Sequence, residues 1–373
     1  MKKQQFRVML TGGGSGGPTT PLLGLVETLE EVEGISCEFL FLGTYRGPER
    51  SMVEDCGVPF QAIPAGKLRR YWDWRNLSDP FRVLAGFFAG VYHLLKFRPH
   101  VVMSAGSFAS VPIAWASSML RVPHLILQMD VRPGLANRLM KPFSDGVACY
   151  FESSFQIFEG VPQRKIVGPV VRKNILNADP KRAEQQFGLD PQRPLMTITG
   201  GGQGAGQLNR MVELWLQTWL VNWQVVHLTG KEHSGVSLED PHYHPLEFIK
   251  NGMGDLLARS DLVITRAGMG ILGELSVLAK DALVIPIAGT HQEDNARSLE
   301  RLDSVYKPNP DLFSDPINEK WKSLHALEGD NLIWWSSGMK VGIQIKKDNI
   351  SGDAEGKFDD FSIKKPIIKT IRI

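Results

Sequence analysis

Two glycine-rich segments of the chain have the composition of phosphate-binding turns. Residues 11–17 read TGGGSGG and residues 199–205 read TGGGQGA, and each segment lies between an apolar run and a helix-like pattern. Such turns bring backbone N–H groups and a helix N-terminus close to phosphate. One match is a weak signal. Two matches, similarly placed in the two halves of a 373-residue chain, predict twin α/β domains with a polar cleft between them.

The two turns lack the acidic residue that a dinucleotide-binding domain places after its second strand. Residues 43–46 read GTYR and residues 229–231 read TGK, without a carboxylate in either place. Because that carboxylate holds the ribose of NAD, a dehydrogenase is disfavoured. For either loop taken alone, a tight turn with a purely structural role stays open.

A third segment, residues 265–274, reads TRAGMGILGE and places a glycine turn directly before a helix. The amides of residues 268–271 are suited to a diphosphate, which the helix dipole favours. Glu274 is placed to accept hydrogen bonds from ribose hydroxyls, although a glycine cap followed by a solvent-facing glutamate is the alternative. Residues 290–296, THQEDNA, follow the next strand. Open α/β sheets bind ligands at such carboxyl ends.

The elements that must position these residues alternate along the chain. In the first half we predict strands at residues 6–10, 38–42, 101–103, 124–127 and 146–149, with helices at 21–33, 80–97, 111–120 and 134–143. The pattern restarts with strands at 195–199, 224–228, 262–265 and 282–286 and helices at 207–220, 269–279 and 291–302. This alternation predicts two doubly wound α/β domains.

The domain boundaries follow from breaks in this alternation. Residues 160–177 are rich in helix breakers and polar groups, so we expect a hinge there, between domains at residues 1–168 and 169–302. From residue 303 the periodicity fades, and we expect a tail at residues 303–373 of weakly specified structure or disorder.

The composition is that of an ordinary soluble protein and narrows the function classes. The formal net charge of +2 gives no reason to expect a nucleic-acid partner, and 43% of the residues are hydrophobic. The three cysteines have neither zinc nor redox spacing, and no metal or other cofactor is expected. Residues 99–120 lack Asp, Glu, Lys and Arg, but their prolines, serines and glycines predict a strand, a loop and a buried helix.

Several motifs together resemble the MurG family of glycosyltransferases over about residues 6–302. They are the first glycine loop with Pro21, GSFASVP at 106–112, PGLAN at 133–137, VGPVVR at 167–172, the second loop with Leu208 and Asn209, RAGMGILGE at 266–274, and HQEDNA at 291–296. The resemblance implies the two-domain GT-B fold. It also implies inverting transfer of N-acetylglucosamine from UDP-N-acetylglucosamine to the lipid-linked muramoyl-pentapeptide lipid I, which forms lipid II at the cytoplasmic face of the inner membrane.

The resemblance also implies roles for individual residues of the donor site. Glu274 would hold the ribose, and Phe248 with Ile249 would border the uracil. Further positions would face the nucleotide, its diphosphate, the sugar or the acceptor: Ser15, Gly16, Gly17, Asp130, Arg172, Gly202, Gln203, Gly268, Met269, Gly270, Ile271, Leu272, Gly273, Gln292 and Asn295.

The chain departs from the family pattern at three places near the acceptor and the second loop. Pro18 stands where the family has histidine, residues 127–130 read LQMD in place of HEQN, and Gly202 replaces a usual serine. Inverting displacement needs a base for the acceptor hydroxyl and stabilisation of the departing diphosphate, which backbone amides can supply without metal. Asp130 is the candidate base, and an Asx turn before Pro133 is an equally good interpretation.

A basic and aromatic segment indicates how the chain meets its lipid-linked acceptor. Residues 67–75 read KLRRYWDWR, and we predict that Arg69, Arg70, Trp72 and Trp74 contact the membrane surface. A stripe at nearly helical spacing follows, and it either adds to this membrane contact or, as is commoner for such apolar positions, packs inward as core: Phe81, Leu84, Phe87, Phe88 and Tyr92.

Two other functions remain open from the sequence. A transferase that uses a UDP-sugar on a different lipid acceptor would have the same donor half. A catalytically degenerate protein that binds a UDP-sugar would also keep the glycine loops, and the substitution by Pro18 makes this credible.

Overall fold

The computed structural model describes residues 4–14, 16–66, 75–201, 206–230, 235–302 and 333–335. Seven predicted contact residues lie outside this part of the chain: Ser15, Gly202, Gln203, Arg69, Arg70, Trp72 and Trp74. Most of the predicted tail, residues 303–332 and 336–373, also lies outside the described residues.

A parallel sheet occupies the first half of the described chain. Its strands are β1 (Gln4–Thr11), β2 (Ile35–Gly43), β3 (Phe60–Ala62), β4 (Val101–Ser104), β5 (His124–Gln128), β6 (Gly146–Cys149) and β7 (Gln163–Ile166). They lie in the order β3-β2-β1-β4-β5-β6-β7, and every neighbouring pair is parallel. The strand order reverses between β1 and β4, which is where an open parallel sheet forms its ligand crevice.

Helices cover both faces of this sheet. They are α1 (Gly16–Glu30), α2 (Glu49–Glu54), α3 (Arg75–Phe97), α4 (Ser110–Met119), α5 (Leu135–Met140) and α6 (Glu152–Ile157), with a 3₁₀ turn at Lys141–Phe143. The helix predicted at residues 134–143 is therefore divided between α5 and this turn.

A second sheet is formed by β8 (Leu195–Thr199), β9 (Gln224–Leu228), β10 (Tyr243–Leu246), β11 (Leu262–Thr265), β12 (Ala282–Val284) and β13 (Ile333–Trp335). The order is β10-β9-β8-β11-β12-β13, with β13 antiparallel and the other described pairs parallel. Both the second glycine loop, after β8, and the turn after β11 begin at the reversal point of this sheet.

Six helices accompany the second half: α7 (Lys173–Leu176), α8 (Pro180–Phe187), α9 (Gly206–Trp219), α10 (Met253–Arg259), α11 (Met269–Val277) and α12 (His291–Leu302). Local sequence fixes the ends of α8. The Asp179 side chain accepts a hydrogen bond from the Lys181 amide, Pro180 occupies the first turn, and Gly188 ends the helix in the left-handed conformation at φ 66°.

The two doubly wound domains predicted from the alternation are confirmed, although four strands were not predicted. These are β3, β7, β10 and β13. The residues of β7 are mostly exposed because this strand forms the edge of its sheet, so it lacks an apolar run. Residues 333–335 pair with β12, so the expectation of weakly specified structure is wrong for these three positions.

The core is continuous between the two domains. One apolar cluster joins residues of α1, such as Leu22 and Leu23, to residues of α11, such as Leu272 and Leu275. The close approach depends on Gly24, since an added Cβ there would lie 2.9 Å from the carbonyl oxygen of Val171. Helix α1, which follows the first glycine loop, and helix α11, which follows the third glycine segment, are therefore held against each other across the domain boundary.

Candidate functional site

The first glycine loop leaves β1 at the reversal point of the first sheet. The Gly12 amide donates to the Leu42 carbonyl at 3.3 Å. Gly13 has φ 148° and Gly14 has φ 79°, a region that L-residues rarely adopt. Gly14 and Gly17 are exposed, and Gly16 begins α1. The backbone of this loop is therefore open to solvent at Gly14 and Gly17, and the predicted substrate contacts of Gly16 and Gly17 stay predictions.

A buried carboxylate that was not predicted from the sequence holds this loop in place. Glu49 is fully buried, and its Oε1 accepts hydrogen bonds from the Thr44 amide at 2.9 Å and from the Thr44 hydroxyl. The same oxygen would lie 2.5 Å from a Cβ on Gly13. Glu49 thus fixes both the end of β2 and the shape of the loop. The only sequence signal is a glutamate shortly after a predicted strand, and burial is not visible from that.

The third glycine segment forms an open turn at the start of α11. Gly268 is the N-cap with extended dihedrals, without a side-chain cap and with no acidic residue in the first turn of the helix. A Cβ added at Gly268 or Gly270 would meet no described atom within 4 Å. The amides of this first turn are therefore accessible, and the helix dipole favours an anion there.

Buried side chains in and next to this turn hold it in place. Met269 and Leu272 are buried, whereas Gly270 and Ile271 are partly exposed. Arg266, buried before the turn, donates to Gln207 Oε1 at 2.6 Å and to the Ile285 carbonyl at 3.2 Å. This arginine connects the start of α9, the end of β11 and the end of β12. It holds these three segments together.

Glu274 lies on α11 between the two domains. Burial raises the pKa of its carboxyl group to about 7, and the nearby Arg172 guanidinium lowers that pKa only in part. Next to it, Gly273 is buried, and a Cβ there would lie 3.0 Å from Cβ of Pro169. The carboxyl group is therefore held in a poorly solvated position that favours hydrogen-bond donors from a ligand.

The Arg172 side chain contacts residues of the first domain and also lies near Glu274 of the second domain. Its Nε donates to Glu27 Oε1 on α1 at 3.2 Å, and the following Lys173 amide donates to Glu27 Oε2 at 2.6 Å. Arg172 Nη2 also lies 3.5 Å from the Cys56 sulfur. The predicted nucleotide contact is thus shared between α1 of the first domain and the surroundings of Glu274.

Asp130 and Asn295 meet across the cleft. Asn295 is fully buried, its amide nitrogen donates to Asp130 Oδ1 at 2.9 Å and to the Ala267 carbonyl at 3.1 Å, and its oxygen accepts from the Val131 amide at 3.0 Å. The Asp130 carbonyl accepts from Gln128 Nε2 at 2.6 Å. The side chain of Asn295 is thereby committed to holding the two domains together, and its predicted contact with the sugar stays a prediction.

The remaining predicted residues lie near the rim of this cleft. Gln292 is buried, and its Oε1 accepts from the Ile287 amide at 3.1 Å, which shapes the loop before α12. Phe248 is 72% exposed after β10, whereas Ile249 packs against a core cluster. An exposed aromatic ring next to an anchored residue is compatible with a base-binding wall. Pro18 lies in the first turn of α1 and has no proton-accepting side chain.

The described chain shows neither a metal cluster nor a membrane-spanning helix. No three His, Cys, Asp or Glu residues in it come together as metal ligands. None of its helices combines the length and the apolar composition that crossing a bilayer requires. A surface cavity of about 580 Å³ lies at the opposite, amino-terminal edge of the first sheet, bordered by Val122, Pro123, Asp145 and Pro162. None of the predicted site residues borders that cavity.

Comparison with known sequences identifies relatives over most of the chain. The chain is 36% identical over 328 residues to a UDP-N-acetylglucosamine–N-acetylmuramyl-(pentapeptide) pyrophosphoryl-undecaprenol N-acetylglucosamine transferase of Lachnospira eligens, covering 86% of this chain and 91% of the relative. It is 34% identical to a transferase of the same name from Bacillus anthracis, covering 79% and 84% respectively.

Solved structures share the arrangement of the two domains. MurG from Acinetobacter baumannii matches with a TM-score of 0.59 at 21% identity, over 86% of this chain and 90% of that one. A UDP-GlcNAc 2-epimerase from Neisseria meningitidis, bound to UDP-GlcNAc, matches with the same TM-score at 13% identity, over 79% and 85%. At these identities the likeness establishes the fold alone, which is the GT-B arrangement expected from the sequence.

Family models match both halves of the chain. The glycosyltransferase family 28 N-terminal domain matches residues 8–149, and the family 28 C-terminal domain matches residues 195–307. Together these matches span more than half of the sequence and include the first glycine loop, Asp130 and the segment from Arg266 to Asn295. The chain therefore belongs to glycosyltransferase family 28.

Proposed function

We propose that this protein is an inverting glycosyltransferase that moves N-acetylglucosamine from UDP-N-acetylglucosamine to a lipid-linked muramoyl-pentapeptide. The observation that carries the proposal is the open turn at Gly268–Gly270, where an added Cβ would meet no described atom within 4 Å and which precedes Glu274 on the same helix. Relatives named for this transfer, similar over most of their length, support the choice of donor and acceptor.

The second domain supplies most residues of the proposed donor site. The diphosphate lies on the amides from Gly268 to Gly273, and Glu274 accepts hydrogen bonds from the ribose. Phe248 and Ile249 border the uracil, Arg172 faces the nucleotide, and Gln292 and Asn295 adjoin the sugar. On the family resemblance, Gly202 and Gln203 of the second glycine loop are assigned to the nucleotide as well. Since this binding relies mainly on backbone groups, it tolerates side-chain substitution in the loops.

The reaction is a single displacement at the anomeric carbon. The acceptor hydroxyl loses its proton to a base and attacks that carbon, while the bond to the diphosphate breaks and its electron pair leaves with UDP. The amides at the start of α11 stabilise the charge that develops on the departing diphosphate. On the family resemblance, Ser15, Gly16 and Gly17 of the first glycine loop are assigned to the donor and to the acceptor diphosphate.

We further propose that helix α3 and the segment before it lie against the cytoplasmic face of the inner membrane. Phe81, Leu84, Phe88 and Tyr92 are between 54% and 74% exposed, so the alternative of inward packing is wrong for this stripe except at Phe87, which packs against a core cluster. Leu95 continues the exposed line. Arg69, Arg70, Trp72 and Trp74 would add charge and aromatic anchoring at its start.

The experiment that tests the function is transfer of labelled N-acetylglucosamine from UDP to a soluble lipid I analogue, with UDP binding followed by calorimetry. Turnover is the expected result. Binding without transfer to lipid I would favour the degenerate protein, and transfer only to another lipid would favour the second acceptor class.

A variant of the glycine turn makes this test specific to the site. Gly270→Asp adds a carboxylate in the first turn of α11, where an acidic side chain does not weaken the helix but repels a diphosphate. We expect it to abolish UDP binding. Ser276→Asp, at an exposed position later on the same helix, is the matched control and should bind UDP normally. Equal binding by the two variants would contradict the placement of the diphosphate.

A further inference from the structure

A histidine of the second domain faces a carboxylate of the first domain across the cleft. His291 Nε2 lies 3.9 Å from Asp130 Oδ1, and the side chains are 49% and 29% exposed. His291 is the first residue of α12, and Asp130 follows the carboxyl end of β5. Both groups are therefore at the edges of the sheets where the substrates of this fold meet, and both are open to solvent.

The surroundings hold the carboxylate in place and leave the imidazole free to move. Asp130 Oδ1 accepts a hydrogen bond from Asn295 at 2.9 Å, which fixes its direction. The other acid nearby, Asp294, is bound by Arg132, whose Nε lies 2.8 Å from it. Glu293 is the remaining titratable neighbour on α12. Since Nε2 faces Asp130, Nδ1 is the ring nitrogen available to a substrate.

We propose that His291 takes the proton of the acceptor hydroxyl, with Asp130 as the residue that positions it; this rests on the proposed function. As the acceptor oxygen bonds to the anomeric carbon, its proton passes to Nδ1 of His291, and the bond between that carbon and the diphosphate breaks. The imidazolium formed is stabilised by Asp130 and returns its proton to solvent. The separation of 3.9 Å closes to a hydrogen bond with a small ring rotation.

The chain needs such a group because Pro18 cannot accept a proton. The other histidines of the described chain do not reach the cleft. His124 and His227 are fully buried, His93 lies on α3, His100 precedes β4, and His242 and His244 lie at the start of β10. Asp130 alone is the base predicted from the sequence, so the two assignments differ in which group receives the proton.

The test compares His291→Ala, Asp130→Asn and the double variant in single-turnover transfer to a lipid I analogue, with UDP binding measured in parallel. We expect His291→Ala to lower the rate by about 10²–10⁴-fold, which is the usual contribution of a general base, while UDP affinity is unchanged. His242→Ala, a partly exposed histidine far from the cleft, is the matched control.

The pH profile distinguishes positioning from a structural role. Asparagine at position 130 can still accept from Asn295 but removes the charge near His291. Asp130→Asn should therefore slow transfer by roughly fivefold with UDP affinity unchanged, and it should keep the acidic limb of kcat/KM that His291→Ala loses. The double variant should be no slower than His291→Ala, because Asp130 acts through the histidine.

Each other outcome overturns the inference. A wild-type rate in His291→Ala removes the histidine from the reaction. An Asp130→Asn variant as slow as His291→Ala, with no acidic limb remaining, assigns the proton to Asp130 instead. If the wild-type protein binds UDP but does not transfer the sugar, the proposed function fails and this inference fails with it.

Discussion

Glu274 gives the sharpest test of the donor site, because its burial has opposite consequences for stability and for binding. The carboxyl group has an ordinary pKa of 4.5, and burial raises it to about 7 in the folded protein. The glutamine variant Glu274→Gln keeps the size of the side chain and removes its titration. It should stabilise the free protein at alkaline pH and weaken its affinity for UDP.

The size of the stability effect follows from the two pKa values. Because the pKa is raised by folding, the stability linked to this group is fully present below pH 4.5 and is lost as the pH rises through 7. The loss amounts to about 3 kcal/mol by pH 8. Glu274→Gln has no such loss, so its advantage over the wild type should grow by about 3 kcal/mol between pH 4.5 and pH 8.

Binding of UDP changes in the opposite direction. A carboxylate accepts hydrogen bonds from two ribose hydroxyls, whereas the amide of glutamine offers one acceptor oxygen and no charge. The lost charged hydrogen bond costs about 1.5–3 kcal/mol, or roughly 10–150-fold in affinity. Since donors from the ribose favour the ionised form, wild-type binding should release a proton near pH 6.5, and binding to Glu274→Gln should not release this proton.

The assay combines thermal unfolding at several pH values with calorimetry of UDP binding in two buffers of different ionisation enthalpy. UDP itself titrates in this range, but it does so equally with both proteins, so the difference between them isolates Glu274. Glu33→Gln, at an exposed position, is the matched control. A constant difference in melting temperature between Glu274→Gln and wild type across pH, or unchanged UDP affinity, would refute the assignment.

Three further outcomes are expected. Phe81→Ser with Phe88→Ser removes two exposed rings from α3 and should weaken partitioning into anionic vesicles by at least about tenfold, since burying each ring contributes about 2 kcal/mol; Leu214→Ser, 68% exposed in the second domain, should have no effect. Gly13→Ala forces a Cβ to within 2.5 Å of Glu49 at φ 148° and should lower the unfolding free energy by about 2 kcal/mol more than Gly57→Ala, which has φ 72° and open space around it. His124 is buried between Ser104 and Ser144, and burial lowers its pKa to about 3 from 6.5, so stability present above pH 6.5 is lost as the pH falls toward 3; His124→Gln should lose about 2 kcal/mol less than wild type between pH 7.5 and pH 5 in urea titrations. Unchanged vesicle partitioning of the phenylalanine variant would contradict the first argument. Equal destabilisation by the two glycine substitutions would contradict the second, and equal acid sensitivity of His124→Gln and the wild type would contradict the third.

The sequence predicted the strands that lie inside the sheets and missed those with few apolar residues. All five residues of β8 (Leu195–Thr199) are buried, and they form an uninterrupted run of apolar residues and threonines. By contrast, β7 reads QRKI at the edge of its sheet, and β10 reads YHPL with a proline inside it. Periodicity reports burial on one or both faces. Edge strands that are held mainly by backbone hydrogen bonds therefore show little hydrophobic periodicity in the sequence.

The predicted site residues were chosen by type and spacing, which do not reveal distances between domains. The family resemblance implies that Asn295 contacts the sugar, and it stands in a polar segment after a strand. In the structure its side chain makes three hydrogen bonds and joins Asp130 and Val131 to Ala267. The partnership of Glu27 with Arg172 is likewise absent from the sequence pattern, because the two residues are 145 positions apart. Contacts of this kind depend on how two independently folded halves dock.

The departures from the family pattern fall mainly on the acceptor side of the cleft, and the structure offers a reason why the chain tolerates them. In the proposed donor site, binding rests on backbone amides at the start of α11 and on Glu274, which the substitutions at Pro18 and residues 127–130 leave intact. The chemistry of the acceptor depends on side chains and is therefore the part that must be rebuilt. Replacing the family's asparagine by Asp130 places a negative charge 3.9 Å from His291. In the mechanism we propose, the loss of a histidine from one domain is thereby matched by a carboxylate that positions a histidine of the other.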